Sequence, residues 1–264
     1  MNKGAIGVFD SGLGGLTAVC ALKNLLPDED IIYLGDTLRV PYGDKERDEL
    51  IACAQSDISF LLSKNVKAIL IACGTVSSTL EKESLASYDV PIFEVLTPAV
   101  ASALKLTKNK KIGVIATAAS IRAGAYERAL LEKDACLSVY PVACPRLVPL
   151  IESGKFSKDE VNEALCEYLL PLKEKGIDTL ILGCTHYPLL KGAISDIMGD
   201  VNLIDIGKMA AESLKEFLEN GGALSTKAGG SIDFYVSGDT ESFKQNAANC
   251  LECKIEKIQK AVLK

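Results

Sequence analysis

Two stretches of the chain join a run of consecutive apolar residues to an abrupt polar break: residues 69–78, ILIACGTVSS, and residues 180–190, LILGCTHYPLL. A run that is apolar at successive positions, rather than alternate ones, has no solvent face. It reads as a strand buried on both sides, which is the habit of parallel sheets covered by helices. The polar break is then the loop leaving the C-terminal end of that strand. In open α/β sheets ligands bind beyond those strand ends. Cys73 and Cys184, each opening such a loop, are therefore expected where this class of fold does chemistry.

The rest of the chain alternates in the same manner. Short apolar runs at 4–9, 31–34, 66–72, 91–96, 110–116, 137–142 and 177–183 read as strands. Helical spacing over 16–26, 44–64, 76–87, 120–133 and 157–175 separates them, with Gly176 as the C-cap of the last. A final part, 204–221 and 232–263, holds helical stretches and a strand at 233–236 behind the Gly229-Gly230 turn. It is expected to return to the first half. The triplet IGV recurs at 6–8 and 112–114, and the strand-Cys-Thr unit recurs at 73–75 and 184–185. The offsets are similar but unequal, the mark of a weak internal duplication. The expectation is an α/β protein of two pseudo-symmetric domains with mainly parallel sheets. Residues 1–96 plus 208–264 would carry Cys73, residues 97–207 would carry Cys184, and the active site would lie in the cleft between them.

At 264 residues the chain is long enough for one large domain or two modest ones. A net charge of −6 without any basic block argues against a nucleic-acid surface or an anionic membrane partner. No apolar run reaches the length of a membrane span, and the opening MNKGAIGVFD has no signal-peptide core, so a cytoplasmic location is expected. The nine cysteines are odd in number and mostly solitary (Cys20, Cys53, Cys136, Cys166), which suits reduced, buried thiols better than disulfides. Cys250 and Cys253 form a lone CxxC; without a second pair or histidines nearby, no metal site is expected.

After the first strand comes Asp10-Ser11-Gly12-Leu13-Gly14-Gly15 and then a helix. This fits neither a phosphate loop nor a dinucleotide fingerprint, and by itself it reads as a helix cap with glycines for a tight turn. Pro41-Tyr42-Gly43 is by itself a turn beyond a strand end. One cysteine alone would be read as a small buried thiol. Two in matching loops suggest more. A thiolate removes a proton from one face of a carbon while a thiol returns a proton to the other, and the configuration inverts. A thiol near pKa 8.5 needs only modest tuning for acid–base work. His186, the only histidine, stands two residues after Cys184 and is placed to polarise a thiol or bind substrate. Asp10 and Glu152 are candidates for orienting the thiols, and Asp36 reads equally as a cap.

Seven motifs in chain order carry a family resemblance. They are FDSGLGG at 9–15, YLGD at 33–36, VPYG at 40–43, Ala72-Cys73, GVIAT at 113–117, GCTHYP at 183–188 and FYVSGD at 234–239. In these the chain resembles the glutamate racemases, cofactor-independent enzymes that interconvert L- and D-glutamate. The resemblance implies a two-base mechanism with Cys73 and Cys184 alternating as acid and base. It implies that Asp10, Ser11, Tyr42, Gly43, Gly74, Thr75, Thr185 and His186 contact the amino acid or assist the thiols, and that Glu152 and Asp36 act in support. It implies D-glutamate for peptidoglycan synthesis, no cofactor, and a homodimer. The family's first cysteine motif is Cys-Asn-Thr, whereas this chain has Cys73-Gly74-Thr75. A side-chain amide is missing there, with the Gly74 N–H or a water as its substitute. The 117–122 loop, TAASIR, also departs from the threonine-rich form. The rival readings are a racemase for aspartate or another acidic amino acid, a thiol hydrolase or transferase using one cysteine, and a binding protein with inert thiols.

Overall fold

A computed structural model describes residues 4–154, 157–250, 255 and 257–263. The described residues form ten strands: β1 (Ala5–Asp10), β2 (Ile31–Gly35), β3 (Val66–Ile71), β4 (Ile92–Glu94), β5 (Lys111–Ala116), β6 (Ser138–Ala143), β7 (Thr179–Leu182), β8 (Asn202–Asp205), β9 (Ile232–Val236) and β10 (Ile258–Lys260). Between them lie α1 (Leu16–Leu25), α2 (Arg47–Leu62), α3 (Gly74–Thr79), α4 (Lys82–Leu85), α5 (Leu96–Leu106), α6 (Ala118–Ala123), α7 (Ala125–Lys133), α8 (Leu147–Ser153), α9 (Lys158–Glu174), α10 (Lys191–Met198), α11 (Ile206–Asn220) and α12 (Thr240–Cys250).

The strands form two sheets, ordered β10-β9-β2-β1-β3-β4 and β6-β5-β7-β8, and every pairing is parallel. Four strands of the first sheet, β2-β1-β3-β4, repeat the order of the whole second sheet. Cys73 follows β3 and Cys184 follows β7, the equivalent strands of the two sheets. In each sheet that strand lies beside the first one of its unit, at the point where the winding reverses, which is where such folds open a crevice.

The central strands are continuous apolar runs because helices cover both faces. All six residues of β3 and all four of β7 are buried. The core is shared between the sheets. One hydrophobic cluster runs from Ile6 and Leu70, through Leu22, Val100 and Leu214 of α1, α5 and α11, to Val114 and Ile181. Burying each such side chain contributes about 1.5–3 kcal/mol. These three helices thus lie between the sheets and fix one against the other.

Several elements differ from the sequence expectation for local reasons. The helix expected over 76–87 is two short ones, because Leu80 is extended (φ −76, ψ 142). The helix expected over 120–133 is broken at Gly124, where φ is +62. The strand expected over 91–96 stops at Glu94, whose carboxylate turns back to accept the N–H groups of Leu96 and Thr97 and so starts α5. That helix buries Leu96, Ala99, Val100 and Ala103 along one face, a helical spacing that the sequence reading passed over. None of the seven described cysteines is in a disulfide, but the expectation of burial fails for Cys136, which is exposed, and for Cys20 and Cys166, which are partly so. The side chains of Cys250 and Cys253 lie outside the described residues.

Candidate active site

Cys73 is delivered by β3 into an extended conformation (φ −67, ψ 117) and serves as N-cap of α3. The N–H groups of Thr75 and Val76 bond toward its sulfur, which is the polarity a thiolate requires. Those bonds are outweighed. Burial first, and the negative charge of Asp10 second, hold the Cys73 thiol well above the ordinary cysteine range. Its Sγ lies 4.0 Å from Ser11 Oγ, to which it donates.

Cys184 leaves β7 into a different setting. His186 Nδ1 lies 3.6 Å from its sulfur, and His186 Nε2 lies 2.9 Å from Glu152 Oε1. Burial alone would drive the imidazole toward its neutral form. The hydrogen bonds and charges of Cys184 and Glu152 overturn that and raise its pKa well above the ordinary value of 6.5. A buried imidazolium flanked by sulfur and carboxylate stabilises negative charge on the sulfur.

The glycine-rich turn after β1 makes room for this relay and does not act as a helix cap. The N-cap of α1 is Gly15, with no side-chain cap. Asp10 Oδ1 instead accepts from the Gly12 N–H (2.9 Å), and its Oδ2 accepts from Thr185 Oγ1 (3.1 Å). A Cβ on Gly12 would lie 2.7 Å from Glu152 Oε1. One on Gly14 would lie 2.7 Å from His186 Cε1 and closer still to Nδ1 and Thr185 Oγ1. Asp10 is buried, and burial raises its pKa, although His186 and the N–H groups of Gly12 and Gly15 pull it back.

One cavity of about 220 Å³ collects these groups. Asp10, Ser11, Tyr42, Gly43, Cys73, Gly74 and Thr75 reach it from the side of the first sheet. Glu152, Cys184, Thr185 and His186 reach it from the side of the second. Every residue expected to contact substrate or assist the thiols therefore borders one space, except Asp36. That carboxylate is fully buried behind the wall and accepts from Tyr42 Oη, Arg39 Nε (2.5 Å) and Ser237 Oγ (2.7 Å). A larger open groove of about 940 Å³ runs beside β4, α5 and α11, and neither cysteine nor histidine lines it. Among the described residues no group of three or more His, Cys, Asp or Glu is placed to hold a metal ion.

Three neighbours escaped the sequence reading. Asp57 of α2 is fully buried, accepts from Arg39 Nη2 at 2.7 Å and lies 3.3 Å from Tyr42 Oη. A signal was present, since position 57 falls on the apolar face marked by Leu50, Ala54 and Leu61, where a carboxylate is out of place. Thr117, after β5, pairs its hydroxyl with that of Thr75 at 2.9 Å and so links the two halves. Cys144 lines the cavity too, but its Sγ bonds the Val142 carbonyl at 3.7 Å and burial pushes the thiol up. Position 74, expected to lack a substrate-facing amide, has no space for one, because a Cβ there would overlap the carbonyl oxygen of Gly183.

The sequence and the fold both have close counterparts. The Asp/Glu/hydantoin racemase family model matches residues 25–214. A protein of Caldanaerobacter subterraneus subsp. tengcongensis named glutamate racemase 2 is 44% identical over 259 residues, covering 98% of this chain and 97% of its own. The crystal structure of glutamate racemase isoform RacE1 from Bacillus anthracis superposes with a TM-score of 0.95 at 35% identity, covering 99% of this chain and 98% of that one. Glutamate racemase from Francisella tularensis, in complex with D-glutamate, does so with a TM-score of 0.92 at 36% identity, covering 99% and 98%. On this agreement of sequence, fold and full-length coverage, the chain belongs to the Asp/Glu/hydantoin racemase family.

Proposed function

We propose that the protein interconverts L- and D-glutamate without a cofactor, by a two-base mechanism at Cys73 and Cys184. The observation that carries this reading is that the two thiols come from equivalent strand ends and border the same small cavity. In one direction Cys184, with His186 beside it, is the base and takes the Cα proton. The electron pair left on carbon spreads into the α-carboxylate. Cys73, kept as a thiol by burial and by Asp10, gives its proton to the opposite face. Proton and charge have then changed sides: Cys184 is a thiol, and Cys73 is a thiolate facing the Thr75 and Val76 N–H groups. The other enantiomer runs the same steps in reverse. Ser11, Gly43 and Thr75 border the cavity as donors for the substrate carboxylates, while Tyr42 and Thr185 border it with their hydroxyls donated to Asp36 and Asp10.

Relatives along the full chain carry the name glutamate racemase, which supports glutamate as the substrate. Aspartate is the informative comparison, since one methylene is worth only about 1–3 kcal/mol. We further infer domain limits of 1–96 plus 208–264 and 97–207, in accord with the membership of the strands in the two sheets. The sequence itself gives the expectation of a cytoplasmic location; the likeness to paired two-domain enzymes gives that of a homodimer, and the family resemblance that of D-glutamate supplied to peptidoglycan. Among the described residues no helix is long and apolar enough to cross a membrane. The direct test is chiral chromatography of L-glutamate, and separately L-aspartate, incubated with dialysed protein and no added cofactor. Conversion of glutamate toward an equal mixture supports the proposal. Turnover that needs pyridoxal phosphate, or that favours aspartate, contradicts it.

A further inference from the structure

Five consecutive residues, 40–44, line the cavity, and they belong to no strand and to no helix beyond one 3-10 turn, Tyr42–Asp44. A wall of this kind takes its place from side-chain bonds and packing, since no ladder of backbone bonds fixes it. On the side of the first sheet Arg39, just ahead of the wall, donates from Nε to Asp36 at 2.5 Å and from Nη2 to Asp57 of α2 at 2.7 Å. Tyr42 Oη donates to the same Asp36. Both carboxylates are fully buried, while the arginine is partly exposed. One planar guanidinium thus ties the end of β2 to a helical residue 18 positions further along the chain, a bridge that uses two separate nitrogens. On the other side the wall meets the second half. A Cβ on Gly43 would lie 3.2 Å from Thr117 Cβ and 3.4 Å from its Cγ2, and Arg122 Nη2 donates to the Lys45 carbonyl at 3.4 Å. The wall therefore stands between two supports, and its place decides how much of the cavity is left for a ligand.

We propose that Arg39 is a positioning residue for the substrate: by joining Asp36 to Asp57 it pins the 40–44 wall against Thr117, and so sets the affinity for glutamate and the longest acid the cavity accepts. This rests on the reading of the cavity as a glutamate site. Arg39 does not line the cavity, so it acts on the ligand through Tyr42 and Gly43, which do. A displaced wall weakens the ground state and the transition state alike, which raises KM and leaves kcat in place. The bridge carries the effect, and the charge by itself does not. Lysine supplies the charge from one nitrogen on a flexible stem and cannot bond both carboxylates in the same geometry.

The test compares Arg39→Gln and Arg39→Lys with the wild type in the racemase assay. The same substitutions are made in the Cys73→Ala background and titrated calorimetrically with L-glutamate and with L-2-aminoadipate, which is one methylene longer. Both should raise KM and the dissociation constant for glutamate by about tenfold or more, the scale of one lost charge-assisted hydrogen bond, with kcat within about threefold of the wild type. The longer acid should gain on glutamate by roughly tenfold, the scale of one methylene in a pocket. Arg47→Gln is the control, since its ion pair with Glu81 lies exposed at the surface, and it should behave as the wild type. Arg39→Lys keeps a charge beside the two buried carboxylates and decides the matter by itself if Arg39→Gln does not fold. Unchanged glutamate affinity, wild-type affinity in the lysine variant, or kcat lost at constant KM overturns the proposal. A wild type that neither binds nor racemises glutamate instead removes the underlying reading.

Discussion

The two cysteine walls are alike in topology and unlike in electrostatics. Each thiol follows the third strand of a β-α repeat, beside the first strand of that repeat. Yet Cys184 stands against His186, itself bonded to Glu152, while Cys73 has a carboxylate, Asp10, as a charged neighbour and the N–H groups of Thr75 and Val76 turned toward its sulfur. Duplication explains the geometry, and divergence of the loops explains the chemistry. A two-base enzyme needs one thiolate and one thiol at the start of each turnover. On the two-base reading the assignment is opposite for the two enantiomers, and the unlike walls make the two thiols unequal partners in that exchange.

The largest effect should come from removing either sulfur. Cys73→Ala and Cys184→Ala are each expected to lower racemisation by 10³-fold or more, the range of a positioned acid or base, as read by chiral chromatography. Substantial turnover in either variant would break the comparison, because it would make one wall dispensable. The next effect separates the walls. His186→Gln should lower kcat by roughly 100-fold. Glu152→Gln, acting through the histidine, should lose one charge-assisted hydrogen bond, about 1.5 kcal/mol or tenfold in rate. Equal losses in the two variants would mean that the carboxylate touches substrate directly.

A third prediction concerns pH. The folded pKa of His186 lies above its unfolded value of 6.5. Its interactions therefore add stability that is fully present below about pH 6.5 and is lost as pH rises through the folded value. Urea midpoints between pH 5 and 9 should fall with pH for the wild type, and His186→Gln should flatten that slope. The smallest effect is expected behind the Cys73 wall. Burial first, then the charge of Asp36, hold the Asp57 carboxyl well above the carboxylate range, although Arg39 opposes them. A raised carboxyl pKa means that ionisation works against the fold as pH climbs from about 4 toward the folded value. Asp57→Asn should thus leave stability at neutral pH unchanged or slightly higher, with KM raised only a few-fold through Tyr42. A loss of several kcal/mol would show that Asp57 is held as an anion by Arg39.

Much of this arrangement could be read from the residues themselves. Continuous apolar runs ending at Cys73 and Cys184 announced buried parallel strands, and the echoes of IGV and Cys-Thr announced two related halves. What stayed hidden depends on distance in sequence. The hydroxyl pair Thr75–Thr117 and the contact between Gly74 and Gly183 join residues that no local pattern connects. The glycines at 12 and 14 looked like turn formers because a turn is what a short window reveals. Their need for space arises from Glu152 and His186, more than a hundred residues away. Asp57 was legible in principle as a charge on an apolar helix face, but its partners Arg39 and Tyr42 lie on a different loop.

The central claim is that unlike thiols work on opposite faces of one carbon, and its most direct test is the isotope pattern of the wild-type enzyme at early time. L-glutamate is incubated in deuterated water, the reaction is stopped after a few per cent conversion, and each enantiomer is analysed at Cα. Two separate proton carriers predict D-glutamate that is fully deuterated beside L-glutamate that still holds its original hydrogen. Product that retains the substrate's own hydrogen, or deuterium appearing equally in both enantiomers, would mean one group serving both faces and would contradict the account.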